Sequence, residues 1–299
     1  MKPKYLMLAM APIVMCLMVT IIAYFASFAM TVITGDVDVL DASSALVDEG
    51  IFNLFRYTLI IILCGLWYAK SFPDKFYFRE APFSVILKKT FLSKSVFLLI
   101  ILGISIQVST DAILYILSHQ FSDFFSSYNV MIESLEGSKS VLLIFSVCTI
   151  GPLSEELIFR GLTLNYALKA FEGRKHGCRY AVIIQAVLFA IYHGNVIQSS
   201  YALIFGLMFG AIAVKAESII PTVFLHAVVN ASLYALPTDL FTDTKQTAII
   251  LTVSAIILIF SFVLYLLHFR NKPTDKTADK TVNKEAGFKD ISGDDKPSE

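Results

Sequence analysis

The chain has 299 residues, of which 56% are hydrophobic and 16% charged, with a mean hydropathy of +0.70 and a formal net charge of zero. Soluble domains are usually about 45–50% apolar and about 25% charged, so lipid rather than a large soluble core is the indicated solvent. Neither a basic stripe nor a recognisable motif supports nucleic-acid binding, and a zero net charge says nothing about partners.

A membrane span needs about 20 mostly apolar residues. The sequence predicts eight, at about 6–33, 52–69, 96–118, 140–166 (interrupted), 180–197, 200–214, 219–236 and 247–268. The fold class expected is an all-α polytopic membrane bundle. The first run follows Met1-Lys2-Pro3-Lys4 but is longer than the apolar core of about 7–15 residues in a signal peptide, so it is read as a helix. With the N-terminus in the cytoplasm, segments 1–5, 70–95, 167–179, 215–218 and 269–299 lie inside and hold 20 of the 24 lysines and arginines. The outside segments hold only Lys139 and Lys245, and Arg56 and Arg160 fall within spans. This asymmetry is what the positive-inside rule predicts, and it implies that both termini are cytoplasmic.

Four regions follow: N-terminal spans with a cytoplasmic 70–95 loop over 1–139, a core over 140–236, a last span over 237–268 and a tail over 269–299. The 70–95 loop mixes Phe76, Tyr77, Phe78 and Phe83 with basic residues and reads as a membrane-surface segment. After Arg270 the chain is rich in Lys, Asp, Thr and Pro and is expected to be a disordered cytoplasmic tail. Cys16, Cys64, Cys148 and Cys178 show no metal-type spacing and read as buried free thiols. The stretch GLMFG at 206–210 has small residues four apart, which lets two helices approach closely.

Ionisable residues at membrane depth are costly, and their default reading is functional. The fourth span carries TIGPLSEELIFRGL at 149–162. Gly151-Pro152 predicts a helix break, with Glu155 and Glu156 in or near the first turn of a new helix, where its dipole favours negative charge. Glu156 and Arg160 are four apart and share a face, with the acid N-terminal to the base. Glu155 is rotated about 100° away and has no counter-charge in its own helix. Two other spans carry FAIYH, with Phe189 and His193, and HAVVN, with His226 and Asn230 four apart on one face. Counting along the spans places Glu155 and His226 in the cytoplasmic half and His193 nearer the outer half. Gln107 and Asp111, in the third span, are expected to serve packing or the rim of a site.

A carboxylate beside a neutral imidazole can take a proton from water, and His226 with Asn230 can donate hydrogen bonds to an oxyanion. Alternatively, Glu155, His193 and His226 are the kind of ligands that a divalent metal such as zinc accepts, with a fourth position open for water. Either scheme hydrolyses an amide or ester within the membrane.

The three motifs EELIFR, FAIYH and HAVVN, in that order on three apolar helices, resemble the EExxxR, FxxxH and HxxxN signatures of the CAAX-protease and bacteriocin-processing family, also called CPBP or Abi. The resemblance covers roughly 150–235. It implies an eight-helix intramembrane endopeptidase with its site in a cavity within the bilayer, acting on a membrane peptide or protein. It implies that Glu155 acts with His193 to activate water while His226 and Asn230 line an oxyanion hole, with or without a metal. Glu156, Arg160 and Phe189 are the expected supporting residues. Two other readings are a non-catalytic membrane-binding or bacteriocin-immunity protein with the same fold, and a proton-coupled transporter, for which no internal repeat is visible.

Overall fold

A computed structural model describes residues 1–34, 49–73, 83–137, 140–237 and 239–268. The expected tail beyond 268 and most of the acidic loop after Thr34 lie outside the described residues, as does the part of the 70–95 loop from 74 to 82. The chain is an all-α membrane bundle. Its helices are α1 (Pro3–Thr34), α2 (Glu49–Ser71), α3 (Phe83–Phe91), α4 (Ser95–Gln120), α5 (Ser122–Gly137), α6 (Val141–Ala170), α7 (Gly177–Tyr192), α8 (Val196–Ala216), α9 (Ile220–Ala235) and α10 (Thr244–His268).

Among the described residues six of these helices, α1, α2, α4, α6, α8 and α10, are long and apolar enough to cross a membrane. The other two expected spans exist as the apolar helices α7 and α9, but each has only 16 residues. At 1.5 Å per residue that is about 24 Å, short of a hydrocarbon core of about 30 Å. Their shortness matters for the site, because it ends α7 inside the bundle.

Helix α6 is the centre of the molecule. It packs against α1 and α2 on one side and against α7 and α9 on the other, while α4 joins α9 and α10. One apolar core surrounds Leu157, Ile158, Phe159 and Leu162 of α6, with Cys16, Ile60, Cys64 and Phe189. A second joins Leu99, Leu102 and Ile106 of α4 to Phe209, Leu225 and Tyr265. Lipid takes the place of water as the solvent of the outer faces, so Phe25, Ile33, Val141 and Phe260 point outward. Small residues allow the closest contacts. A Cβ at Gly206 would lie 2.8 Å from the Ala186 backbone, and one at Gly103 would lie 2.6 Å from Val228. The GLMFG stretch is therefore where α8 meets α7.

Helix α6 corrects the expected break at Gly151-Pro152. The helix continues through proline, with π-helical turns at Ser146–Ile150 and Leu157–Thr163. A π turn bonds i to i+5, which makes room for an interrupted ladder without ending the helix. Ile150 and Gly151 keep right-handed helical angles, and the Gly151 N–H reaches back to Ser146 O. Glu155 and Glu156 thus stand mid-helix, not at a free N-terminus, and the dipole argument for them does not hold.

Three smaller differences stand out. Residues 122–137 form α5, an additional helix that packs at one end of the bundle through Phe125, Tyr128 and Ile197. The surface segment expected in the 70–95 loop includes α3, whose Phe91 ring packs edge-on to Phe224. All four cysteines are free, but only Cys16 and Cys64 are buried, and Cys178 is exposed at the start of α7.

Candidate active site

Pro152 has no N–H, so it cannot return a hydrogen bond to Val147 O five residues back. The Asn230 side chain takes that role: its Nδ2 donates to Val147 O at 2.9 Å. The Gly-Pro step therefore gives a helix from another part of the chain a backbone acceptor, and so fixes Asn230 against α6. The second π turn works the same way. Leu164 N–H bonds Phe159 O, and Asn165 Nδ2 donates to Arg160 O at 3.1 Å and Gly161 O at 2.7 Å.

The two glutamates separate as their spacing predicts. Glu156 and Arg160 are both 0% exposed and joined by Nη1 to Oε1 at 2.7 Å. The Arg160 guanidinium lies over the rings of Phe189 (4.4 Å) and Phe209 (5.2 Å), which supports it in place of water. The same Glu156 Oε1 accepts from His226 Nδ1 at 2.9 Å. A carboxylate only accepts, so Nδ1 of His226 carries a proton and donates it to Glu156 in this bond, which turns Nε2 toward Glu155, whose Oε2 is 3.8 Å away. Glu155 keeps a side-chain exposure of 14%, and it lines the cavity.

His193 is placed by the turn that follows it. Gly194 has φ +67°, a conformation without cost to glycine, and Asn195 caps α8 by accepting from Ile197 N and Gln198 N. This turn ends α7 after Tyr192 and leaves His193 at its C-cap, about 24 Å from the start of the helix. Glu155 is about 22 Å from the Ala170 end of α6 by the same count. The separate depths expected for the two residues came from reading α7 as a full-length span. His193 Nδ1 donates to Phe189 O at 2.8 Å, which leaves Nε2 as the acceptor. The Phe189 ring meets both imidazoles edge-on, with centroids 4.7 Å from His193 and 6.2 Å from His226.

Glu155, His193, His226 and Asn230 all line one cavity of about 720 Å³. Its wall also includes Gln107 and Asp111, which pair through Nε2 to both carboxylate oxygens at 2.8 and 2.9 Å. Sequence reasoning named neither Arg56 nor Phe209 as part of the site. Arg56 lines the cavity and bonds Asn53 Oδ1 at 3.1 Å, and its charge inside a span was a legible signal. Phe209, in contrast, was hidden within the GLMFG packing motif.

The donor set does not converge as a metal site. Among the described residues no group of three His, Cys, Asp or Glu side chains is placed to share an ion. Glu155 Oε2 and His226 Nε2 approach to 3.8 Å, while His193 Nδ1 is committed to Phe189 O. The expected ligand set Glu155, His193 and His226 therefore does not fit a bound metal in this arrangement.

The geometry can be set beside known proteins. The segment 137–232 matches the family model of type II CAAX prenyl endopeptidase Rce1-like proteins. This segment is Rce1-like. It carries every motif residue described above, and the family assignment agrees with the CAAX-protease resemblance read from those motifs. No curated protein and no solved structure was found to match the chain. The apolar helices and the matched segment together make this a multi-pass membrane protein whose residues 137–232 are similar to CAAX-type prenyl endopeptidases.

Proposed function

We propose that the chain is an intramembrane endopeptidase that cleaves a peptide bond of a membrane-associated peptide or protein, using Glu155 as the base. The observation that carries this reading is the unequal engagement of the two glutamates. Glu156 is buried and bound by Arg160 and His226, whereas Glu155 faces the cavity with an imidazole nitrogen 3.8 Å away.

In this reaction a water is held between two acceptors, the Glu155 carboxylate and His193 Nε2. Glu155 takes a proton from it as the oxygen forms its bond to the scissile carbonyl carbon. The carbonyl oxygen becomes an oxyanion. Asn230 faces it with the N–H that Val147 O does not use, since an amide nitrogen has two. His226 needs a proton on Nε2 to donate to the oxyanion, because Nδ1–H is committed to Glu156; in its singly protonated form Nε2 is an acceptor. Collapse of the tetrahedral intermediate breaks the C–N bond, and the departing amine receives the proton held by Glu155. Arg160 and Glu156 are wholly buried outside the cavity lining, and Phe189 forms part of its wall. They fix the two imidazoles.

The test compares peptides in the membranes and medium of cells expressing the natural chain or the Glu155→Gln variant. The expected result is one or more peptides produced only by the natural chain, with equal accumulation of both proteins. Identical peptide profiles would show that Glu155 is not needed for proteolysis.

A further inference from the structure

The position of the cavity within the bundle and the distribution of charge along the chain, taken together, say which side of the membrane the cavity serves. The lining residues run from the middle of the bundle, at Gln107, Glu155 and His226, to one end of the helices that contribute. Tyr24 lies toward the C-terminal end of α1, Glu49 begins α2, Ser118 is near the end of α4, Gln198 is in the first turn of α8, and Leu240 follows α9. Asn129 sits in α5, which crosses that same end. None of the lining residues belongs to the opposite ends of these helices.

The opposite end is recognisable by its contacts. Lys2 Nζ meets Glu172 Oε2, and Lys2 N donates to Ala170 O at 2.8 Å, so the N-terminus and the α6–α7 turn are together. This end carries Lys2, Lys4, Lys70, Lys94, Arg174, Lys175, Arg179 and Lys215, whereas Lys245 is the one lysine or arginine outside a span among the described residues at the cavity end. The cavity end is acidic, with Glu49, Glu133, Asp239 and Asp243. Lysine and arginine accumulate on the cytoplasmic side of short loops, and acidic residues have little influence on orientation.

We infer that the cavity opens to the extracytoplasmic face, and that its substrates are membrane-associated peptides whose scissile bond has already crossed the membrane. The inference rests on the endopeptidase reading for the word substrate, but the orientation of the cavity stands without it. A peptide reaches Glu155 from the exported side, passing the α5 edge of the mouth. The cytoplasmic end of the bundle is closed by the core around Leu157, Leu162 and Leu164. The class of reaction that supplies the substrate is therefore export or membrane insertion of a peptide, not a modification confined to the cytoplasm.

The test uses the full-length chain in intact cells with a membrane-impermeant maleimide. The natural Cys178, exposed at the basic end, is one probe. The second is Asn129→Cys at the cavity mouth, in a chain in which Cys148 and Cys178 are replaced by Ala and Ser. Ser126→Cys, on an exposed position of the same helix, replaces it if Asn129→Cys does not accumulate. The expected result is labelling of the α5 cysteine in intact cells, with Cys178 labelled only after permeabilisation. The reverse pattern, labelling of both sites in intact cells, or an α5 cysteine that stays unlabelled even after permeabilisation would each overturn the inference. If the labelling pattern holds but Glu155→Gln leaves the peptide profile unchanged, the orientation stands and the proteolytic reading falls.

Discussion

Glu156 and Arg160 form a wholly buried pair, and removing one partner leaves an uncompensated charge away from water. Breaking such a pair costs about 3–5 kcal/mol. Glu156→Gln and Arg160→Ala are therefore each expected to lower the unfolding temperature of the purified protein in detergent or lipid. The double variant should lose less than the sum of the two, because the residues are in direct contact. Additive losses would contradict the pairing. Glu156→Gln also weakens the hold on His226 by removing the acceptor's charge, so its activity should fall along with its stability, whereas Glu155→Gln should lose activity alone. Asn230→Ala removes the bond to Val147 O and the amide from the cavity wall. A cleavage rate lower by about 10²–10³-fold is expected, the usual effect of deleting one oxyanion donor. A rate within a factor of two of the natural chain would remove Asn230 from the site. At this scale the sequence was informative. The i, i+4 spacings of Glu156 with Arg160 and His226 with Asn230 carry their own geometry, and they separated the engaged glutamate from the available one. The contact between His226 and Glu156 was not legible, because it joins residues 70 apart and depends on how α6 and α9 cross.

Helix boundaries were less legible than helix identity. Gly151-Pro152 reads as a break by local rules, but the tertiary structure overrides it: a π turn absorbs the proline and Asn230 occupies the carbonyl it releases. Pro152→Ala restores an N–H at that position and lets the helix compete for Val147 O. The expected outcome is unchanged or greater thermal stability together with a cleavage rate lower by on the order of 10²-fold, the effect of a displacement of about 1 Å at a reacting group. Unchanged activity would separate the π turn from the placement of Asn230. Helix α5 went unpredicted although its pattern was present. Phe124, Phe125, Tyr128, Met131, Ile132 and Leu135 recur at the helical period, but the intervening serines and acids keep the segment below the hydropathy of a span. The GLMFG motif was legible as a close approach but not as a particular pair of helices. Gly206→Leu is expected to cost about 1–3 kcal/mol through overpacking against Ala186, measured as a lower unfolding temperature with the peptide pattern retained.

For the whole molecule, composition alone distinguished a membrane bundle from a soluble domain, since 56% apolar residues exceed what a soluble core uses. Eight apolar segments were legible, yet two of them form helices of 16 residues, shorter than a full span. No hydropathy window shows that a helix of this kind ends inside the bundle to deliver a histidine at its cap. The cavity, too, belongs to the assembled molecule: its wall draws on helices from α1 to α9, and no single segment announces it. Because the donor groups do not converge as a metal site, cleavage is expected to proceed in the presence of a strong chelator. The decisive measurement takes a peptide identified from the cell comparison and incubates it with purified protein in lipid vesicles under chelator. The natural chain is predicted to cleave it, and Glu155→Gln, unfolding at the same temperature, to leave it intact. Equal cleavage by Glu155→Gln would contradict the central claim that this carboxylate activates the attacking water.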